Sequence, residues 1–248
     1  TGCALLYEAL SALKIDGSGV LPEQPFIPDR VTDGYGIAGR MIREWAAAGV
    51  TLLIAVDTGA AAMAEIRLAR DLGMDVIVLD HHIFEDRPPA TALVNPRRDD
   101  ATYPNDELCG VAVAFKFAHA LKLREPTCLP DDFLAGVLDL VSLGLVADQM
   151  SLTGENRVLV RKGLARLADR QQIRPGLAAL LRVSRRRRSG SMRLRPMWSI
   201  PSICAAPRGC RGEAARPARL RGAGARGRGL AGRQGFLLGE RYLLLCYI

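Results

Sequence analysis

The stretch that decides the fold is TLLIAVDTGAAAMAEIRLARDLGMDVIVLDHH, residues 51–82. Its first part, "TLLIAV" (51–56), is a short unbroken apolar run, the pattern of a strand covered on both faces. "AAMAEIRLARDLG" (61–73) then spaces Met63, Ile66, Ala69 and Leu72 at helical intervals, and Gly73 is placed to stop the helix. "MDVIVL" (74–79) is a second buried strand. Strand, helix and strand at this spacing make a βαβ unit, which implies a parallel sheet and a right-handed crossover. The fold class is therefore α/β.

In an open α/β sheet, ligands bind beyond the carboxyl ends of the strands. The first strand ends "AVDTG", which puts Asp57 at that edge. The second ends "VLDHH", which puts Asp80, His81 and His82 there, two of the chain's three histidines. Strands joined by one crossover commonly lie side by side, so Asp57 and His81 are expected to face one crevice. A carboxylate and an imidazole on one edge are half of a site for Mn²⁺ or Mg²⁺. A two-metal phosphoryl-transfer site needs several carboxylates, so these two residues alone do not suffice. The turn at Thr58 and Gly59 offers helix N-terminal amides to a phosphate. A further acid lies in "DLVSLGLVADQMSL" (139–152). Residues 133–146 are apolar enough to be buried; Asp139 interrupts that run and Asp148 leaves it, which makes Asp148 the better ligand candidate.

Each residue also has a plainer reading. An aspartate after a strand commonly caps a helix or turn, and Asp148 has the same option. A histidine pair in a loop commonly lies at the surface. Cys109 reads as a packing residue rather than a nucleophile, and His119, inside "FKFAHAL", reads as a helix-face residue. Only the agreement among Asp57, Asp80, His81, His82 and Asp148 favours a site.

The flanking sequence is mostly helical. Leu5, Leu6, Ala9, Leu10 and Leu13 give a helix over 3–13 that is already under way at the first residue. Residues 16–36 are rich in Gly and Pro punctuation. A helix over 37–49 presents Ile37, Met41, Ile42 and Trp45 on one face and ends at Gly49. Further helices are expected at 110–122, 132–143 and 156–168.

The chain has 248 residues, of which 49% are hydrophobic and 5% aromatic, a balance that suits a soluble α/β protein. No apolar run approaches the roughly 20 residues that span a membrane, and the N-terminus has no signal-peptide pattern. The six cysteines include no CxxC pair. That excludes a zinc knuckle and a disulfide framework and fits reduced thiols in a cytoplasm. The net charge of +8 hides two compositions. Residues 1–183 hold 19 Lys and Arg against 24 Asp and Glu, whereas 184–248 hold 15 Arg, no Lys and 2 Glu. We therefore read a domain over 1–183 and an Arg/Gly-rich tail of low order over 184–248. The tail is a basic nucleic-acid-binding arm, a solvated linker, or the product of reading a GC-rich gene out of frame.

"AVDTG", "VLDHH" and "SLGLVAD", in this order and spacing, resemble the DHH phosphoesterase superfamily. Within it, "IPDRVTDGYGI" (27–37), "LCGVAVAFKFAHAL" (108–121) and "DLVSLGLVADQMSLTGENRVLVRKGL" (139–164) look like the RecJ-type single-strand-specific exonucleases. The resemblance covers about residues 1–183 and implies a parallel-sheet DHH-type domain with flanking helices. It implies Mn²⁺ or Mg²⁺ as cofactor and 5′→3′ hydrolysis of single-stranded DNA in repair and recombination. Single-stranded DNA is then the partner, with a single-strand-binding protein as a further candidate and no membrane. By position, Asp57 would match a carboxylate bridging two metals, His81 a direct metal ligand and Asp148 the last ligand. His82 would match the residue that meets the substrate phosphate or supports the metal shell, and Asp80 would hold the histidines from behind. Arg30 would match a phosphate or DNA contact.

The chain also departs from that pattern. The family's first motif, an acidic cluster of the form Asp-x-Asp-x-Asp-Gly, is not found, and "TGCALLYEAL" resembles the family's residues immediately after that motif. After "LAALLRV" (177–183) the pattern stops where the Arg-rich text begins, which favours the out-of-frame reading of the tail. The expectation is an impaired fragment that binds metal poorly; a further alternative is a truncated chain with no stable fold, prone to aggregate through an exposed sheet edge. Two rival functions stand beside it. One is another DHH-type phosphoesterase: an oligoribonuclease, nucleotide phosphatase or pyrophosphatase. The other is a non-catalytic DNA-binding or replication-scaffold protein with the same fold, whose DNA binding would persist in EDTA.

Overall fold

The computed structural model describes residues 1–13, 25–29, 31, 33–34, 36–169, 171, 173–186 and 242–246. The chain forms two compact units, residues 1–175 with 238–248, and residues 176–237. The first unit carries helix α1 (Gly2–Ala12), α2 (Gly39–Ala47), strand β1 (Leu52–Val56), α3 (Met63–Asp71), β2 (Asp75–Leu79) and β3 (Ala92–Val94). It continues with α4 (Gly110–Arg124), α5 (Phe133–Gly136), α6 (Leu138–Ala147), α7 (Gly154–Ala168) and the late strand β4 (Tyr242–Cys246). In the second unit, helix α8 (Pro175–Arg186) opens on a proline, which suits a first helical position because that amide has no partner within the helix.

The βαβ unit read from residues 51–82 forms as expected. β1 and β2 pair in parallel, Leu52 opposite Asp75 through Val56 opposite Leu79. The sheet order is β3-β2-β1-β4, and all three pairings are parallel. One face of the sheet, with Leu53, Ala55, Val76 and Val78, packs against Ile42 of α2 and Ile66 and Ala69 of α3. The opposite face meets α4 and α1, and α6 and α7 pack on each other beyond them. Both faces of the sheet are thus covered, which is why β1 reads as a continuous apolar run rather than an alternating one.

Helix stops fall where the glycines predict them. Gly49 and Gly73 take φ of +80° and +84° just after α2 and α3, the left-handed conformation that closes a helix without the steric cost a side chain brings. Trp45, at the end of α2, meets Phe26 edge-on with ring centroids 5.3 Å apart.

Three features differ from the sequence expectation. β3 falls in a segment that reads as loop, because its three residues are too few to show a period. Its approach is set by side chains: the Thr91 hydroxyl donates to Asp75 Oδ1 at 2.9 Å and accepts from the amide of Val76 at 2.9 Å. The helix expected over 132–143 divides into α5 and α6 at Val137 and runs on to Ala147. At the break, Asp139, 1% exposed, accepts from Arg174 Nε at 2.9 Å, and the same guanidinium pairs with Glu8 and donates to the Gly136 carbonyl at 3.1 Å. Asp139 is therefore a structural anion rather than a site residue.

The third difference is at the sheet edge. β4 pairs with β1 over five residues in parallel, Leu52 opposite Tyr242 through Val56 opposite Cys246. The edge of β1 expected to be bare is covered by the end of the tail, whose apolar "YLLLC" suits a strand. The rest of the tail, 187–241 and 247–248, lies outside the described residues. Leu245→Pro removes a donor that β4 turns toward β1. Hydrogen exchange should then show lost protection of the β1 amides that face β4, those of residues 52, 54 and 56, and unchanged protection there would contradict the pairing.

Candidate metal centre

Asp57 stands one residue beyond β1, and its amide donates to the Leu79 carbonyl at 2.8 Å. Its φ is +61°, a left-handed conformation that aspartate tolerates better than most residues. There the carboxylate meets the imidazole beyond β2, with His81 Nε2 3.1 Å from Asp57 Oδ1. Asp57 Oδ1 and, on the other side of the ring, His81 Nδ1 are both buried with no aligned hydrogen-bond partner among the described residues. Buried polar atoms are normally satisfied. Two orphaned ligand-type atoms on one rim fit a site that binds a metal ion.

Asp80 is 1% exposed, and its carboxylate is fully employed. Oδ2 accepts from the Ala60 amide at 2.9 Å, in the turn that leads from β1 to α3. Oδ1 accepts from the amides of His81 at 2.8 Å and His82 at 3.3 Å. It also lies 2.7 Å from His82 Nδ1. A carboxylate that only accepts requires the proton on that nitrogen, which leaves His82 Nε2 as the free lone pair. The His82 side chain is 57% exposed. Asp80 thus fixes the backbone of both histidines and the tautomer of the second.

One ligand atom from each of Asp57, Asp80, His81 and His82 lies within 4.8 Å of the others. Asp148 follows α6 rather than a strand, at the helix C-terminus, and is not in this close group. Its charge still reaches the site. Burial and the nearby Asp57 carboxylate raise its pKa, while His81 and His82 pull the other way. Arg30 lies outside the described residues. The turn amides expected to receive a phosphate are partly used within the turn, since Ala60 donates to Asp80 and Ala62 to the Gly59 carbonyl at 3.1 Å.

Several contributors act through contacts that the sequence does not show. Gly110 opens α4 against Asp57, and a Cβ there would stand 2.1 Å from Asp57 Oδ1. Gly59, at φ +106°, lets the β1–α3 turn lie on Val78. Asn95, 4% exposed at the end of β3, donates from Nδ2 to the His82 carbonyl at 2.9 Å and accepts the Arg97 amide at 2.8 Å. Gly59 and Gly110 lie in the quoted motifs and Asn95 does not, but the contact each makes is with a residue distant in the sequence. Glu65 shares a cleft of about 450 Å³ with Asp57, Thr58, Asp80, His82 and Gly36. Cys109 caps α4, and burial pushes its thiol up to about 12, so it is a neutral packing group and not a nucleophile.

A parallel-sheet edge that gathers strand-end acids and histidines in this way defines an α/β domain with a candidate metal-binding centre. Residues 1–145 match the DHH family, N-terminal domain, and the chain belongs to that family. Its relatives include the single-stranded-DNA-specific exonuclease RecJ of Dickeya dadantii, 38% identical over 186 residues that span 72% of this chain and 32% of that protein. The RecJ of Bacillus subtilis is 44% identical over 160 residues, 64% of this chain and 19% of that protein. This chain therefore spans about a third or less of those relatives. A crystal structure of exonuclease RecJ bound to manganese superposes with a TM-score of 0.52 at 29% identity, over 66% of this chain and 47% of that one. The expected DHH-type α/β fold is thus confirmed. Among the described residues, no helix is long and apolar enough to cross a membrane.

The geometry sets the titration of His81. Burial lowers its pKa, but the Asp57 contact and the charges of Asp57, Asp80 and Asp148 outweigh it, and the net shift is upward from 6.5. Protonated His81 therefore stabilises the metal-free fold below the unfolded value near 6.5. That contribution is lost as pH rises through the raised folded value. An NMR titration should place the His81 midpoint above 6.5, and Asp57→Asn should bring it down. Gly110→Ala should destabilise the chain by about 1–3 kcal/mol through overpacking against Asp57, read by denaturant unfolding.

Proposed function

We propose that this chain supplies the DHH domain of a metal-dependent phosphodiesterase that degrades single-stranded DNA from its 5′ end in repair and recombination. The observation that carries this reading is the convergence of Asp57 and His81, with orphaned ligand atoms, at the carboxyl edge of a parallel sheet. The RecJ relatives and the manganese-bound neighbour support the substrate and the metal. Asp57, His81 and Asp148 would hold Mn²⁺ or Mg²⁺, which when bound provides charge stabilisation at the phosphate and an activated water. On the resemblance, Asp57 would be the carboxylate shared between the two ions. Asp80 orients both histidines, and His82 presents Nε2 toward a substrate phosphate. Arg30 is a phosphate or DNA contact on the resemblance alone, as is a single-strand-binding protein as partner. A cytoplasmic location is consistent with the buried, unbridged thiols of Cys109 and Cys128.

Binding to this chain alone is expected to be weak. Both Asp80 oxygens are already engaged, so Asp57 and Asp148 are the acids left to neutralise two divalent ions. Asp80→Asn should cost about 10–100-fold in Mn²⁺ affinity, measured by calorimetry, because the histidines lose their support. On 5′-labelled single-stranded DNA, mononucleotide release should be slow, depend on Mn²⁺ and disappear in Asp57→Ala. DNA binding that persists in EDTA, with no Mn²⁺ binding and no cleavage, would replace this reading with the scaffold one.

A further inference from the structure

A second cleft of about 350 Å³ lies at the carboxyl end of β3, apart from the residues assigned above. Leu93 and Leu108, each buried, form its apolar lining together with Pro96 and Tyr103. Arg98 and Lys116 complete the lining. The Arg98 guanidinium is offset by Asp100 at 2.9 Å, and the Lys116 ammonium pairs with Glu155 and stands 5.3 Å from the Tyr103 ring centroid. The Tyr103 hydroxyl donates to Glu155 at 2.8 Å, which holds the ring in place. The walls are thus apolar and aromatic, and each cation is offset by an acid, although Arg98 Nε has no aligned hydrogen-bond partner among the described residues. This chemistry suits a flat, neutral ring joined to an anion better than a free anion.

Position identifies the ring. β3 neighbours β2 in the sheet, and adjacent strands lie about 4.8 Å apart. The cleft is therefore one strand-step along the same edge from the DHH turn. Asn95 lines the cleft and also holds the His82 carbonyl at 2.9 Å, so cleft and turn are fixed to each other. An extended nucleic-acid strand anchored by its phosphate at the turn reaches the cleft with the neighbouring nucleotide. We propose that the cleft receives the unpaired base of that nucleotide. The proposal rests on the phosphodiesterase reading and adds a reason for single-strand preference, because a base seated in the cleft is held away from a complementary strand.

The test uses the full chain with Ca²⁺ and 5′-phosphorylated thymidylates of one and two nucleotides, titrated by calorimetry. The quantity read is the ratio of dinucleotide to mononucleotide affinity. It should be about tenfold, the effect of stacking one base. It should fall to about one when the second base is abasic, and again in Thr102→Trp, which fills the cleft from its exposed rim. A ratio unchanged in both arms, or one that survives removal of the base, overturns the cleft as a base site and leaves the phosphodiesterase reading intact. If the mononucleotide itself does not bind, that reading fails and the cleft proposal with it.

Discussion

The Asp80 carboxylate is the constraint on which the rest of the centre depends. A buried anion is costly unless donors satisfy it. Here four donors do so, from the Ala60, His81 and His82 amides and the His82 ring. The first comes from the turn after β1 and the others from the residues after β2, so one side chain ties together the two strand ends that carry Asp57 and His81. The amide of Asp80 itself donates to the Val94 carbonyl at 3.0 Å, which extends the tie to β3. The edge is rigid because the cost of leaving Asp80 unpaired opposes any other arrangement of it.

Asp57 and His81 stand on this frame in the opposite condition. Their ligand atoms are buried with no hydrogen-bond partner among the described residues, beside a helix start that has no room for a side chain at Gly110. Full satisfaction at Asp80 and deficiency at Asp57 and His81 separate the supporting residue from the coordinating ones. Asp148 belongs to the same electrostatic field, since the Asp57 carboxylate and both histidines act on its pKa, but it comes from the α6 end and not from the sheet.

A polar network performs a similar fastening farther along the chain. Glu155, in the first turn of α7, pairs with Lys116 and accepts from Tyr103, while Asn105 Nδ2 lies 3.1 Å from Asn156 Oδ1. The Lys116 neighbour holds the Glu155 carboxyl below its ordinary range despite the opposing effect of burial. The segment between β3 and α4 is thereby bound to α4 and α7. The stretch 139–164, similar in sequence to the nucleases, thus anchors the loop that walls the second cleft.

The sequence by itself determined the βαβ unit, the helix stops at Gly49 and Gly73 and the position of Asp57, Asp80, His81 and His82 at the strand ends. These depend on local period and turn chemistry, which act over a few residues and are legible without a partner. The tertiary structure alone decided the arrangements that join residues distant in sequence. It brought β4 to the edge of β1, split α5 from α6 over the Arg174 pair and set Gly110 against Asp57. It also distinguished Asp139, a buried structural anion, from Asp57, a coordinating one, although both are aspartates beside apolar runs. The physical reason is that a carboxylate's role is set by which donors surround it, and those donors come from elements far apart in the chain.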